Sequence, residues 1–296
     1  MADWRKIPEG GSVFALRLII LIARICGRRV AGGVLYVVAF YFAAMRKDAR
    51  SASRDYLRRI GEPATFRNVV RHMHTFARVT LDRLFFLTGR LEQFEFEHTN
   101  HDLLVDIAKS GRGVLLLGAH LGSFECMRAR ANKYSLPLNV LADYSNAARV
   151  NGVLRSLAPN FDVRLIPLGE DPLPAMLEIK AAIERGELVA MLADRRPPSG
   201  RVVKTPFLGG EASFPAGPWV IAHTLRCPVY FVAGVFTKPN RYSLHFELVA
   251  DEVRLERRER DAALAHYAAI YAKLLEAHTR KAPLNWFNFY DFWSKA

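Results

Sequence analysis

Two apolar runs open the chain. Val13 to Cys26 is apolar apart from Arg17 and Arg24, which stand seven apart and so share a helical face. Val30 to Met45 carries no charge, with Arg28 and Arg29 before it and Arg46 and Lys47 after it. Both runs read as helices. At 1.5 Å per residue the uncharged run reaches about 24 Å, short of a hydrocarbon core of roughly 30 Å. Gly32 and Gly33 weaken it further as a span. The pattern predicts two hydrophobic helices lying in or dipping into one leaflet, with arginines at the headgroup level. A buried helical hairpin of a soluble protein would show the same pattern. A signal peptide fits less well, since no small-residue cleavage pattern follows cleanly.

Ala49 to Thr88 continues as helix. Phe66, Val69, Val70, Met73, Phe76, Ala77, Leu81, Leu84 and Phe85 follow three-four spacing, and Glu62-Pro63 suits a helix start. His72 and His74 are two apart, diverge on a helix, and take packing or surface roles. From residue 91 the pattern changes to short strands alternating with helices. Strands are expected at Phe94 to His98, Val114 to Leu117, Leu138 to Leu141, Val163 to Ile166, Leu188 to Leu192, Val229 to Phe236 and Ser243 to Val249. Helices fit between them at Phe124 to Lys133, Ala147 to Leu157, Pro174 to Arg185 and Ala216 to Thr224, with a last one from about Arg258 to Lys281. The expected fold is α/β, a mixed, largely parallel sheet flanked by helices, preceded by a membrane-binding helical segment. The division expected is residues 1–90 for that segment and residues 91–296 for the α/β domain. Sites in such sheets form beyond the carboxyl ends of the strands.

Charge sharpens the first part of this picture. The 296 residues carry a net +13, yet residues 1–90 hold 17 Lys/Arg against 6 Asp/Glu while the remainder is nearly balanced. The basic excess therefore sits beside the apolar helices, which points to an anionic membrane surface. No nucleic-acid motif accompanies it, so nucleic-acid binding is not expected. Cys26, Cys126 and Cys227 are too few and too widely spaced for a disulfide framework or a Cys-rich zinc site.

The chemistry-bearing string is Gly118-Ala119-His120-Leu121-Gly122-Ser123-Phe124-Glu125, directly after the central strand. On one helix His120 and Glu125 would lie about 140° apart and could not meet. With His120 in the loop and Glu125 in the first helical turn, they converge. Gly118 and Gly122 permit the tight backbone, and Ser123 suits a cap. A histidine oriented by a carboxylate is a general base for a hydroxyl. A buried loop histidine beside a helix-capping glutamate is the bland alternative. No Gly-x-Ser-x-Gly elbow is present, so a covalent serine intermediate is not indicated.

His-Leu-Gly-Ser-Phe-Glu after a strand resembles the His-x-x-x-x-Asp/Glu motif of glycerolipid-type acyltransferases, closest to the bacterial lipid A biosynthesis (lauroyl/myristoyl) branch. The later blocks are similar too: Asp194 after its strand, Pro206-Phe207-Leu208-Gly209, Ala216-Gly217-Pro218, Cys227-Pro228-Val229 and Trp286 in a closing aromatic cluster. The resemblance covers nearly the whole chain. It implies a membrane-associated acyltransferase on the cytoplasmic face of the inner membrane. His120 would be its general base and Glu125 its orienting acid. The donor would be an acyl carrier protein or coenzyme A thioester and the acceptor a lipid or glycolipid, with neither metal nor bound cofactor. It further implies substrate contacts from Gly122, Arg149, Arg155, Asp194 and Arg195, with backbone amides near Gly122 or an arginine serving the oxyanion. The Tyr290-Asp291-Phe292-Trp293 ending lacks the basic residues common in members acting on lipid A. That leaves the acceptor open between lipid A and another lipid such as an aryl polyene lipid. A non-catalytic lipid-binding protein on the same scaffold is the competing reading.

Overall fold

The computed structural model describes residues 13–98, 106, 107, 109–127, 137–142, 164–169, 171–196 and 200–293. Four helices come first: α1 (Val13–Ile25), α2 (Gly27–Met45), α3 (Lys47–Arg59) and α4 (Phe66–Leu87). Strands β1 (Glu95–His98), β2 (Val114–Gly118), β3 (Leu138–Ala142) and β4 (Arg164–Pro167) lead to α5 (Leu173–Glu184) and β5 (Leu188–Leu192). A hairpin of β6 (Val202–Phe207) and β7 (Gly210–Pro215) precedes α6 (Gly217–Leu225), β8 (Val229–Lys238), β9 (Arg241–Ala250) and α7 (Arg260–Lys281).

The main sheet has seven strands in the order β1-β9-β8-β2-β5-β3-β4, and every neighbouring pair is parallel except β8 with β9. This is the mixed, largely parallel α/β sheet expected. All five residues of β2 are buried, as a continuous apolar run at the centre of a covered sheet requires. Phe124–Met127 is helical, the described start of the helix expected there. The helix expected at Ala147 to Leu157 lies outside the described residues.

The N-terminal helices pack against the sheet. Ile20, Ala23, Ala31 and Leu35 share a cluster with Phe94, Tyr242 and Leu244, while Ala39, Ala43 and Tyr56 join the main core. Two expectations are corrected here. Helix α4 starts at Phe66 rather than at Glu62-Pro63, because Thr65 is extended and its hydroxyl accepts from the Asn68 amide. Helix α2 is longer than the uncharged run, 19 residues from Gly27, and among the described residues it is the one helix long and apolar enough to cross a membrane. Its added turn contains Arg28, which is buried and bonds the Asp82 carboxylate with two nitrogens instead of reaching headgroups. Tyr242 Oη donates to the same carboxylate at 2.7 Å. Gly32 proves to be a contact point, where the Arg78 guanidinium lies close and His74 Nε2 meets the Gly32 carbonyl at 2.8 Å.

Candidate active site

Register assembles the site. Strands β2 and β5 are parallel neighbours with Gly118 opposite Leu192, and the Ala193 amide donates to the Gly118 carbonyl. Residues two beyond each strand end therefore come side by side, and these are His120 and Asp194. His120 Nδ1 lies 2.7 Å from Asp194 Oδ1, and the His120 amide donates to Oδ2 at 3.0 Å. Trp286 Nε1 and Asn288 Nδ2 also donate to Oδ2, at 3.1 and 2.9 Å. Asp194 is 0% exposed. Burial alone would raise its pKa, but the His120 charge and hydrogen bond, the Arg195 charge and the Asn288 amide outweigh it and hold it well below the ordinary carboxylate range. A permanently ionised Asp194 fixes the proton on Nδ1 and leaves the lone pair on Nε2.

Burial pushes the His120 imidazole below its ordinary value of 6.5, and the Arg195 charge acts in the same direction, against Asp194 and Glu125. The ring is thus neutral at pH 7 and fit to accept a proton.

Here the expected pairing is corrected. The carboxylate bonded to the imidazole is Asp194, not Glu125. Glu125 Oε1 lies 2.7 Å from Arg83 Nε on α4, and the Ser123 hydroxyl reaches its Oε2 at 3.5 Å. Its charge still favours the protonated imidazole, but through space. The amides near Gly122 are already committed to backbone carbonyls. The Gly122 amide donates to the Asn285 carbonyl and the Ser123 amide to the Gly234 carbonyl. Gly122 has φ +66° and a Cβ there would meet the Gly234 oxygen at 2.0 Å, so only glycine lets the loop pass this close to β8. Arg195 donates from Nε to Asn288 Oδ1 and from a terminal nitrogen to the Phe287 carbonyl, with its guanidinium 5.8 Å from the Tyr290 ring centre. It braces the segment that braces Asp194. Arg149 and Arg155 lie outside the described residues.

Sequence reasoning did not find Arg83, Asn285 or Asn288 as supports of this loop. The available signal was Asn285-Trp286-Phe287-Asn288, two amides set in an aromatic run, where buried amides need partners. Asn285 bonds the amide and carbonyl of Phe236 on β8, both at 2.9 Å, and the Phe287 amide donates to the His120 carbonyl. His72 is fully buried, with Nδ1 accepting from Ser53 and Nε2 donating to the Trp286 carbonyl, each at 2.9 Å. Burial lowers its pKa to about 4, so it stays neutral and serves as a packing strut.

The family model described as bacterial lipid A biosynthesis acyltransferase matches residues 9–295. The chain belongs to that family. No curated protein matches it at a significant level. As a lipid A biosynthesis acyltransferase family member, it is an enzyme that transfers acyl groups to lipid. That sets aside the competing reading of a non-catalytic lipid-binding protein.

Proposed function

We propose that this acyltransferase uses His120 as general base, with Asp194 as its orienting acid and Glu125 as a second, through-space charge. Nε2 takes the proton of an acceptor hydroxyl as that oxygen attacks the thioester carbonyl. The oxygen–carbon bond forms, the carbon–sulfur bond breaks, and the imidazolium returns the proton to the departing thiolate. Asp194 stabilises the imidazolium without taking its proton, as the acid of a catalytic triad does. The step uses neither metal nor bound cofactor. The donor is a thioester of acyl carrier protein or of coenzyme A, and the acceptor a lipid or glycolipid. The enzyme works from the cytoplasmic face of the inner membrane, where its basic, apolar N-terminal helices meet anionic lipid.

The observation that carries this reading is the hydrogen bond from the His120 ring to a wholly buried carboxylate at the carboxyl end of a central strand. The test is acyl transfer by the purified full chain, with acyl carrier protein and coenzyme A thioesters offered separately. His120→Ala should cost about 10²–10⁴-fold in turnover with folding intact. The wild-type kcat/KM should fall as pH drops through a pKa below 6.5, because protonation removes the base, and the variant's residual rate should lack that limb. Near-normal turnover by a folded variant would refute the mechanism.

A further inference from the structure

A second cluster of chemically capable side chains lies apart from the reacting centre, between β9 and α7. His245 and Glu247 are two apart on β9, so both leave the same face of the sheet. The burial alternation of β9 sends Tyr242, Leu244 and Phe246 to the opposite face. His278, in the last turn of α7, presents Nε2 to Glu247 Oε1 in direct hydrogen-bond contact. The His245 and His278 ring centres are 4.2 Å apart, and Phe231 of β8 lies nearly parallel to the His278 ring at 5.4 Å. One ligand atom from each of the three residues falls within 4.8 Å of the others.

From this arrangement we propose that His245, Glu247 and His278 form a binding site for a divalent transition-metal ion, best suited to zinc. Two imidazole nitrogens and one carboxylate oxygen are a donor set zinc takes readily, and three protein ligands leave a position for water. In a tetrahedral site with bonds of about 2.1 Å the ligand atoms stand about 3.4 Å apart. The His278–Glu247 contact is already within that spacing, and a ligand atom of half-buried His245 lies within 4.8 Å of both. Metal binds imidazole in its neutral form, so such a donor set carries the one negative charge of its carboxylate and suits a dication, with Lys281 as the nearby cation it must tolerate. The ion would staple α7 to β9. The α7 cap at Ala282 bonds the His278 carbonyl, and Asn285, Trp286 and Asn288 follow at once. The site would therefore steady the segment that holds the catalytic loop, without touching the reaction.

The test uses the full chain in detergent, stripped with a chelator and titrated with Co2+ and then Zn2+. One equivalent of Co2+ should give the visible bands of a low-coordinate site, Zn2+ should displace it, and Zn2+ should raise the thermal midpoint. Even an outer-shell change costs metal sites about 10–100-fold in affinity, so His245→Ala and Glu247→Gln should cost at least that. Both residues are only half buried, so the folded variants are accessible, and circular dichroism confirms them. His120→Ala should bind metal as the wild type does. Absence of stoichiometric binding would overturn the proposal. So would unchanged binding in folded His245→Ala or loss of binding in His120→Ala. None of these readouts depends on acyl transfer, so the two proposals fail independently.

Discussion

At the scale of single residues, Asp194 and Glu125 divide the work on His120 unequally, and kinetics can show it. Asp194 touches the ring and accepts four hydrogen bonds, whereas Glu125 is committed to Arg83 and Ser123. Asp194→Asn should lower kcat by about 10²–10⁴-fold, since the amide neither fixes the Nδ1 proton nor stabilises the imidazolium. It should also move the acid limb of kcat/KM to still lower pH, because the charge and hydrogen bond of Asp194 both raise the His120 pKa. Glu125→Gln should cost about tenfold, the size expected of a charge acting through space. Steady-state rates with the two variants rank the carboxylates, and a larger loss at Glu125 would make it the principal partner. The sequence marked both acids, but spacing and the motif resemblance linked only Glu125 to His120, whereas Asp194 stands 74 positions further along the chain. What joins them is the adjacency of β2 and β5, which no local pattern encodes.

At the scale of elements, the loop between β2 and the next helix depends on one glycine. Gly122→Ala combines a left-handed φ with a Cβ driven into the Gly234 carbonyl, so it should destabilise by more than about 2 kcal/mol and displace His120. Gly33→Ala, in the exposed interior of α2 with open space at its Cβ, should be neutral or stabilise by about 0.5–1 kcal/mol. Thermal unfolding of the two variants makes the comparison, and a mild effect at Gly122 would show that the loop can re-route. Strands were legible where apolar runs are continuous: Leu188 to Leu192 falls on β5 residue for residue, and β2 differs from its expected span only by Gly118. The β6–β7 hairpin was not. Pro206 inside β6 argues against a strand, and the turn uses Leu208 and Gly209 at φ 49° and 71° where Asn-Gly would be the usual signal. Proline is tolerated there because the pair stands as a two-stranded ribbon outside the main sheet.

At the scale of the whole molecule, the question is how α1 and α2 meet the bilayer. Their outward stripe is apolar: Phe14, Leu18, Leu21 and Ile25 on α1, then Val30, Val37, Phe40, Tyr41 and Met45 on α2, with Phe14 and Ile25 about three-quarters exposed (75% and 74%). Arg17, Arg24 and Arg29 are exposed beside it. Length alone lets α2 span, since 19 residues reach about 28 Å. Packing argues otherwise. Near its start α2 is tied by Arg28 to Asp82 and to the Pro239 carbonyl, and near its end Ala39 and Ala43 lie in the main core. Freeing it to stand across a bilayer would strand Asp82 in the interior, and breaking a buried pair costs about 3–5 kcal/mol. An interfacial helix keeps every such contact and still buries the outer stripe in lipid. Cys26 supplies the test, being exposed at the α1–α2 junction while Cys126 and Cys227 are buried. If α2 lies in the interface on the cytoplasmic side, as proposed, an impermeant thiol reagent should leave Cys26 unlabelled on intact cells and label it in opened ones. Replacing Phe14, Leu21, Val37 and Tyr41 together by Ser should then release the folded protein from anionic vesicles, since each side chain contributes up to about 1.5–3 kcal/mol of burial. Labelling of intact cells would mean that α2 crosses after all, at the expense of the Arg28–Asp82 pair. The catalytic geometry would survive that outcome, because His120 and Asp194 are placed by β2 and β5 and steadied by Trp286, Phe287 and Asn288, none of which belongs to α1 or α2.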